Sequence, residues 1–130
     1  MAVRAHVTAV EGDGEAVRAL QAGADRAAGV GKCNPVEAVK RDLFRRPLLA
    51  SELKPFDAIV FDPPRAGARE QVTEIAKSIV PRLVGVSCNP TSFARDAAIL
   101  RDGGYQLDWV QPVDQFRHAA HIELVAGFSK

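Results

Sequence analysis

Short apolar runs alternate along the chain with stretches whose apolar positions recur at helical spacing. His6 to Val10 reads as a strand ending at Glu11-Gly12-Asp13-Gly14. Ala16, Val17, Leu20, Ala24 and Ala27 then share one face of a helix, which stops near Gly29-Val30-Gly31. Val36 to Val39 forms a short strand leading into Arg41-Asp42-Leu43-Phe44. Residues 45–55, with prolines at 47 and 55, read as a loop or short helix. Phe56 to Phe61 has the apolar character of a buried strand and runs into Asp62-Pro63-Pro64-Arg65. Val72, Ile75, Ala76 and Ile79 follow the i, i+3, i+4, i+7 rule. Leu83 to Val86 is the next strand, ending at Ser87-Cys88-Asn89-Pro90. Thr91 is placed to cap a helix in which Phe93, Ala97 and Leu100 share a face and which Gly103-Gly104 ends. Strands near 105–111 and 121–128 close the pattern, as an antiparallel hairpin at a sheet edge.

Such alternation predicts an α/β fold of βαβ units around a largely parallel sheet. Ligands of these sheets gather at the carboxyl ends of the strands. Glu11, the 62–65 turn and the 87–90 turn all fall at that edge. A length of 130 residues suits one domain, and 47% hydrophobic with 25% charged residues is an ordinary globular balance. No run approaches a membrane span and no leader pattern opens the chain, so a soluble cytoplasmic protein is expected. The net charge is only +1, from seventeen basic and sixteen acidic residues. A domain that held RNA alone would be more basic, so any RNA grip is expected to lie largely elsewhere. Cys33 and Cys88 form no CxxC or zinc-ligand spacing and are expected to be reduced thiols.

Two turns carry chemistry. In Asp62-Pro63-Pro64-Arg65 the prolines stiffen a turn that holds a carboxylate and a guanidinium at the ligand edge. Taken alone it also fits a proline-rich turn with a surface ion pair. Related Asp/Asn-Pro-Pro turns of amino-methyltransferases are usually followed by an aromatic residue, where Arg65 stands here. Cys88 lies between a strand and a helix start, a position that raises thiol reactivity, although a single cysteine is often merely buried. In an alternating strand His121 and Glu123 point to the same face, and a carboxylate beside a nucleophile can act as a general base. An edge-strand glutamate facing water is the plainer reading of Glu123.

Taken together, Asp62-Pro-Pro-Arg-Ala-Gly, Val86-Ser-Cys-Asn-Pro, Ala94-Arg95-Asp96, Gly104-Tyr105, Pro112-Val113-Asp114-Gln115-Phe116 and His121-Ile-Glu resemble, in order, the class I methyltransferase domain of the RNA uracil-5-methyltransferases. The likeness is clearest from Phe56 to Phe128. It implies a Rossmann-like α/β domain, S-adenosyl-L-methionine as cofactor and an RNA substrate, ribosomal rather than transfer RNA. By the same resemblance Cys88 adds to carbon 6 of uracil and Glu123 removes the carbon 5 proton. Asp62 matches an acidic residue between cofactor and base. Glu11 matches the residue that binds the cofactor's ribose hydroxyls, and Asp42 a polar residue near the adenine. The target uracil must leave its stack to reach Cys88.

The chain departs from the family at Phe116-Arg117-His118-Ala119, where Phe-Pro-His-Thr is common. It begins at about the family's second strand, so the resemblance implies a domain incomplete at its N-terminus, without the first strand and glycine-rich loop. The Gly12-Asp13-Gly14 sequence does not replace that loop. Weak cofactor binding, no activity of the isolated 130 residues and self-association through exposed sheet edges are expected from this. An amino-methyltransferase acting on adenine or guanine and a non-catalytic, self-associating remnant stand as the alternative readings.

Overall fold

The strands run from four to eight residues, too short to be stable alone, so the fold is set by which strands pair. The computed structural model describes residues 5–114 and 122–130. The chain divides into two compact units, Met1–Arg46 and Pro47–Lys130. The expectations for Gln115, Phe116, Arg117, His118, Ala119 and His121 lie outside the described residues.

In the first unit β1 (Val7–Glu11) and β2 (Val36–Lys40) pair in parallel, connected by α1 (Gly14–Gly29). Asp13 caps α1, its Oδ1 accepting from the Ala16 amide at 2.8 Å. The Ala16 and Glu15 amides hold the Asp13 carboxyl below the usual carboxylate range. The expected apolar face of α1 is only partly the packed one. Val17, Ala24 and Ala27 are half-buried, but Ala16 is exposed and Leu20 is 42% exposed. Gln21 takes the packed position instead. Its amide donates to the Val36 carbonyl at 2.9 Å and accepts from the Ala38 amide at 2.8 Å. A polar side chain that satisfies strand backbone competes successfully with a leucine for that place.

The second unit contains α2 (Ala50–Leu53), β3 (Ala58–Phe61), α3 (Arg69–Ala76), β4 (Arg82–Ser87), α4 (Pro90–Asp102), β5 (Gln106–Val113) and β6 (Glu123–Ser129). Its sheet has the order β3-β4-β6-β5. β3 and β4 are parallel, whereas β6 runs antiparallel to both β4 and β5. The sheet is therefore mixed rather than largely parallel. The expected terminal hairpin exists, but only β5 lies at the edge; β6 is inserted between β4 and β5.

Val72 and Ile75 of α3, Leu100 of α4, Leu83 of β4 and Ala126 and Phe128 of β6 form the core with Leu53, Val80 and Tyr105. The Tyr105 hydroxyl donates to the Val80 carbonyl at 2.7 Å, so its polar tip is satisfied inside the core. Gly127 lies under the Trp109 indole on the opposite strand face; a Cβ there would sit 2.5 Å from Trp109 Cε2. The Phe56 to Phe61 run is a strand only over Ala58–Phe61 and is not buried throughout: Ala58 is exposed and Val60 is 71% exposed. The unit's core packs on the opposite face of the sheet, so alternate β3 residues have no covering layer within the unit. Ile79 likewise falls beyond the end of α3 and is 70% exposed. No helix among the described residues is long and apolar enough to cross a membrane.

The helix phase gives a direct stability test. Ile75 is fully buried, so Ile75→Ala is expected to cost about 2–5 kcal/mol. Ile79→Ala should stay within about 0.5 kcal/mol of the parent. Urea denaturation followed by circular dichroism compares the two; equal losses would mean that the phase of α3 is misassigned.

Candidate active site

The carboxyl end of β4 turns sharply into α4, and side-chain hydrogen bonds build that turn. Ser87 is buried; its Oγ accepts from the Asn89 amide at 3.1 Å and donates to the Asn89 carbonyl at 3.0 Å. Asn89, not Thr91, caps α4: its Oδ1 accepts from the Thr91 amide at 3.0 Å. Pro90 follows at the first helical position, where its missing N–H costs nothing. The helix thus starts two residues before the place a Thr91 cap suggested. Cys88 sits half-buried between these two residues, just ahead of the positive end of α4.

The parallel pairing of β3 with β4 brings the Asp62-Pro63-Pro64-Arg65 turn to the same edge as Cys88. The Arg65 carbonyl accepts from Asn89 Nδ2 at 3.1 Å and from Ser92 Oγ at 3.0 Å. The turn is closed by the Gly67 amide, which donates to the Pro64 carbonyl at 2.8 Å. Gly67 has φ +84°, a conformation that favours glycine. Asp62 and Arg65 are exposed.

Glu123 reaches this edge from the far end of the chain. β6 is antiparallel to β4, and Leu124 is paired with Ser87. Glu123 and Cys88 are the next residues beyond that last pair. Glu123 is half-buried and is also paired across to Val113 of β5. Asp62, Cys88 and Glu123 are therefore gathered at one end of the second unit's sheet.

Glu11 and Asp42 belong to the first unit, where they lie at the carboxyl edge of the parallel β1–β2 pair. Glu11 Oε1 accepts from the Asp13 amide at 3.0 Å, and the Glu11 carbonyl accepts from the Arg41 amide at 2.9 Å. Asp42 Oδ1 accepts from the Phe44 amide at 3.0 Å, while Oδ2 lies 3.7 Å from Arg45 Nε. Both carboxylates are tied to their own turns, which fixes their positions, and Glu11 engages one oxygen among the described residues. A fixed carboxylate with an oxygen to spare suits a hydroxyl-bearing ligand such as a ribose. Cys33 is half-buried in the same unit, in the segment between α1 and β2. No cluster of metal-ligating side chains occurs among the described residues.

Sequence reasoning gave Asp96 no structural role. It is only 3% exposed. Its Oδ2 accepts from the Ala68 amide at 2.7 Å, and its Oδ1 accepts from Arg95 Nη2 at 2.6 Å. The signal was present: residue 96 falls within the apolar stripe of Phe93, Ala97 and Leu100, where an ionised side chain is rare unless paired.

Known proteins resemble this chain in sequence and in fold. An uncharacterized RNA methyltransferase of Brucella melitensis is 51% identical over 130 residues, which is 100% of this chain and 31% of the relative. A counterpart from Rhizobium meliloti is 54% identical over 126 residues, 97% of this chain and 30% of its own length. The 23S rRNA (uracil(1939)-C(5))-methyltransferase of Hahella chejuensis is 38% identical, over 97% of this chain and 28% of its own. The chain thus spans under a third of the length of these relatives. Among solved structures, the tRNA (uracil-54, C5)-methyltransferase of Pyrococcus abyssi, in complex with S-adenosyl-L-homocysteine, matches with a TM-score of 0.74 and 30% identity. That match covers 95% of this chain and 28% of the other. A precorrin-6Y C5,15-methyltransferase from Geobacter metallireducens matches at TM-score 0.66 and 12% identity, over 96% of this chain and 67% of the other, and supports the Rossmann-like α/β methyltransferase fold alone. The family model for tRNA (uracil-5-)-methyltransferases matches residues 36–128, more than half of the chain, and the chain belongs to that family.

Proposed function

We propose that this chain carries the chemical centre of an S-adenosyl-L-methionine-dependent methyltransferase acting on carbon 5 of a uridine in RNA, with Cys88 as nucleophile and Glu123 as base. The observation that supports the reading is the β4–β6 pairing: Ser87 pairs with Leu124, and Cys88 and Glu123 are the next residues beyond that last pair, at one end of the sheet. The proposed nucleophile follows β4 and the proposed base opens β6, so both belong to the same end of the sheet. Arg65 in place of an aromatic residue after the two prolines disfavours the amino-methyltransferase alternative.

Carbon 5 of uracil is a poor nucleophile until carbon 6 is attacked. The Cys88 thiolate adds to carbon 6, and the ring's electron pair moves onto carbon 5 and the carbonyl oxygen. S-adenosyl-L-methionine supplies an electrophilic methyl group, which carbon 5 takes up. Glu123 then removes the proton from carbon 5. The carbon 5–carbon 6 double bond re-forms as the sulfur–carbon bond breaks, and the thiolate leaves. Covalent attachment thus divides one difficult substitution into easier steps. Asp62 stands at the same edge to orient the base, and Glu11 and Asp42 are the carboxylates to hold ribose and adenine. An RNA base buried in its stack has to be turned out to reach Cys88. Ribosomal RNA is the proposed substrate, a reading supported by the Hahella relative's named target.

The experiment is incubation of the complete protein with S-adenosyl-L-methionine and RNA containing 5-fluorouracil. Fluorine in place of the carbon 5 proton leaves the base nothing to remove, so the chain should stay bonded to the RNA through Cys88. A shifted band on a denaturing gel, with the adduct mapped to Cys88, is the expected result. Ribosomal and transfer RNA fragments are run side by side. Methylation of the uridine without any adduct would sink the covalent route, and adduct on transfer RNA alone would reassign the substrate.

A further inference from the structure

The Arg95–Asp96 pair, a half-exposed guanidinium on a buried carboxylate, has no part in the proposed chemistry, yet it ties the 65–68 loop to α4. Residues adjacent in a helix do not normally face one another. Here both side chains converge on the loop after Pro64. Asp96 Oδ1 accepts from Arg95 Nε at 2.9 Å and from Nη2 at 2.6 Å, and Oδ2 accepts from the Ala68 amide at 2.7 Å. Arg95 Nη2 also donates to the Ala66 carbonyl at 3.0 Å. With Ser92 Oγ and Asn89 Nδ2 on the Arg65 carbonyl, every residue from 65 to 68 except Gly67 has a backbone group bonded to the first turns of α4. Gly67 packs too closely for any side chain. A Cβ there would collide with Arg95 Nη2 and lie 2.7 Å from Asp96 Oδ2 and 3.0 Å from Ser92 Cβ.

We propose that Arg95 and Asp96 are positioning residues: an ion pair built on the buried Asp96 carboxylate that locks the Asp62–Ala68 loop onto the helix whose cap follows Cys88, so that Asp62 and the thiol face the substrate as one rigid unit. The proposal rests on the reading that Asp62 and Cys88 serve a single centre. The energetic logic favours a lock over mere stabilisation. A partly exposed ion pair contributes little net stability, but the Asp96 carboxylate is buried and loses its compensating charge if the guanidinium is removed. What the pair does supply is direction, since the guanidinium fork and the two carboxylate oxygens admit one arrangement of the loop.

The test uses Asp96→Asn and, as the milder change, Arg95→Lys, which keeps the charge but loses the fork. Hydrogen exchange should show the Ala68 amide losing protection by at least about tenfold, with β4 and β6 amides as in the parent. The rate of adduct formation with 5-fluorouracil RNA should fall by about ten- to a hundredfold, as expected when a reacting group is misplaced by an ångström. Alkylation of Cys88 by iodoacetamide, with Cys33 as internal reference, should stay within about twofold, because the Ser87–Asn89 turn is intact. Loss of protection throughout α4 and β4 in both variants would make the pair structural only and overturn the proposal. So would a loosened Ala68 amide with an unchanged adduct rate. A parent protein that forms no adduct at all overturns the functional reading instead, and the exchange data then show whether the loop is locked.

Discussion

Exchanging Cys88 for alanine is expected to abolish RNA methylation, with kcat lowered by at least about a thousandfold. The change removes one sulfur atom and little else. The hydrogen bonds of the turn belong to Ser87 and Asn89, and the cap of α4 to Asn89, so the backbone at residue 88 is held without its side chain. Thermal stability should therefore change little while the covalent step is lost. Cys33→Ala is the matched control, because Cys33 belongs to the other compact unit and to neither the 62–68 nor the 87–90 turn. Transfer of a labelled methyl group to RNA, read beside a denaturing gel, separates the two. Turnover by Cys88→Ala at the parent's rate would remove the nucleophile assignment outright.

Glu123→Gln should stall the reaction at a later point. Glutamine has nearly the same shape, and the backbone pairings of residue 123 with Val113 and of Leu124 with Ser87 remain. The adduct can still form and accept its methyl group, but proton removal from carbon 5 slows by about a hundred- to ten-thousandfold. Covalent complex with ordinary, unfluorinated RNA should then accumulate where the parent shows almost none. If activity falls and no such complex builds up, Glu123 acts before methyl transfer and not after it.

Most elements of this fold were legible because their signals are local. Glu11-Gly12-Asp13-Gly14 marks a strand end; Val72 and Ile75 mark a helix face; Gly103-Gly104 marks a helix stop. The failures came from relations between elements. Nothing in the run Phe56 to Phe61 tells how many of its faces a layer covers, so Val60 reads as core although it is exposed. Nothing in the last two strands says that the later one inserts beside β4, because strand order depends on pairing across the whole unit. Thr91 and Asn89 are both good caps by residue type. The choice fell to Asn89 because Pro90 favours the first helical position and the Asn89 amide also reaches the Arg65 carbonyl. At the site, the order of motifs singled out Cys88, Asp62 and Glu123, and the sheet brings these to one edge. The supporting pair Arg95–Asp96 went unread because its partners are backbone groups of a distant loop, which no spacing rule displays.

The placement of β6 also dictates when this unit can take shape during synthesis. A ribosome delivers residues in order, and domains tend to fold as their last necessary piece emerges. Here the last strand is an interior one. Until residues 123–129 are out of the exit tunnel, β4 and β5 have no strand to join them, and Leu83 lacks its Phe128 neighbour. The nascent unit must wait with apolar strand edges open, a period in which holdase chaperones have something to bind. The same late arrival brings Glu123 to the end of the sheet that carries Cys88.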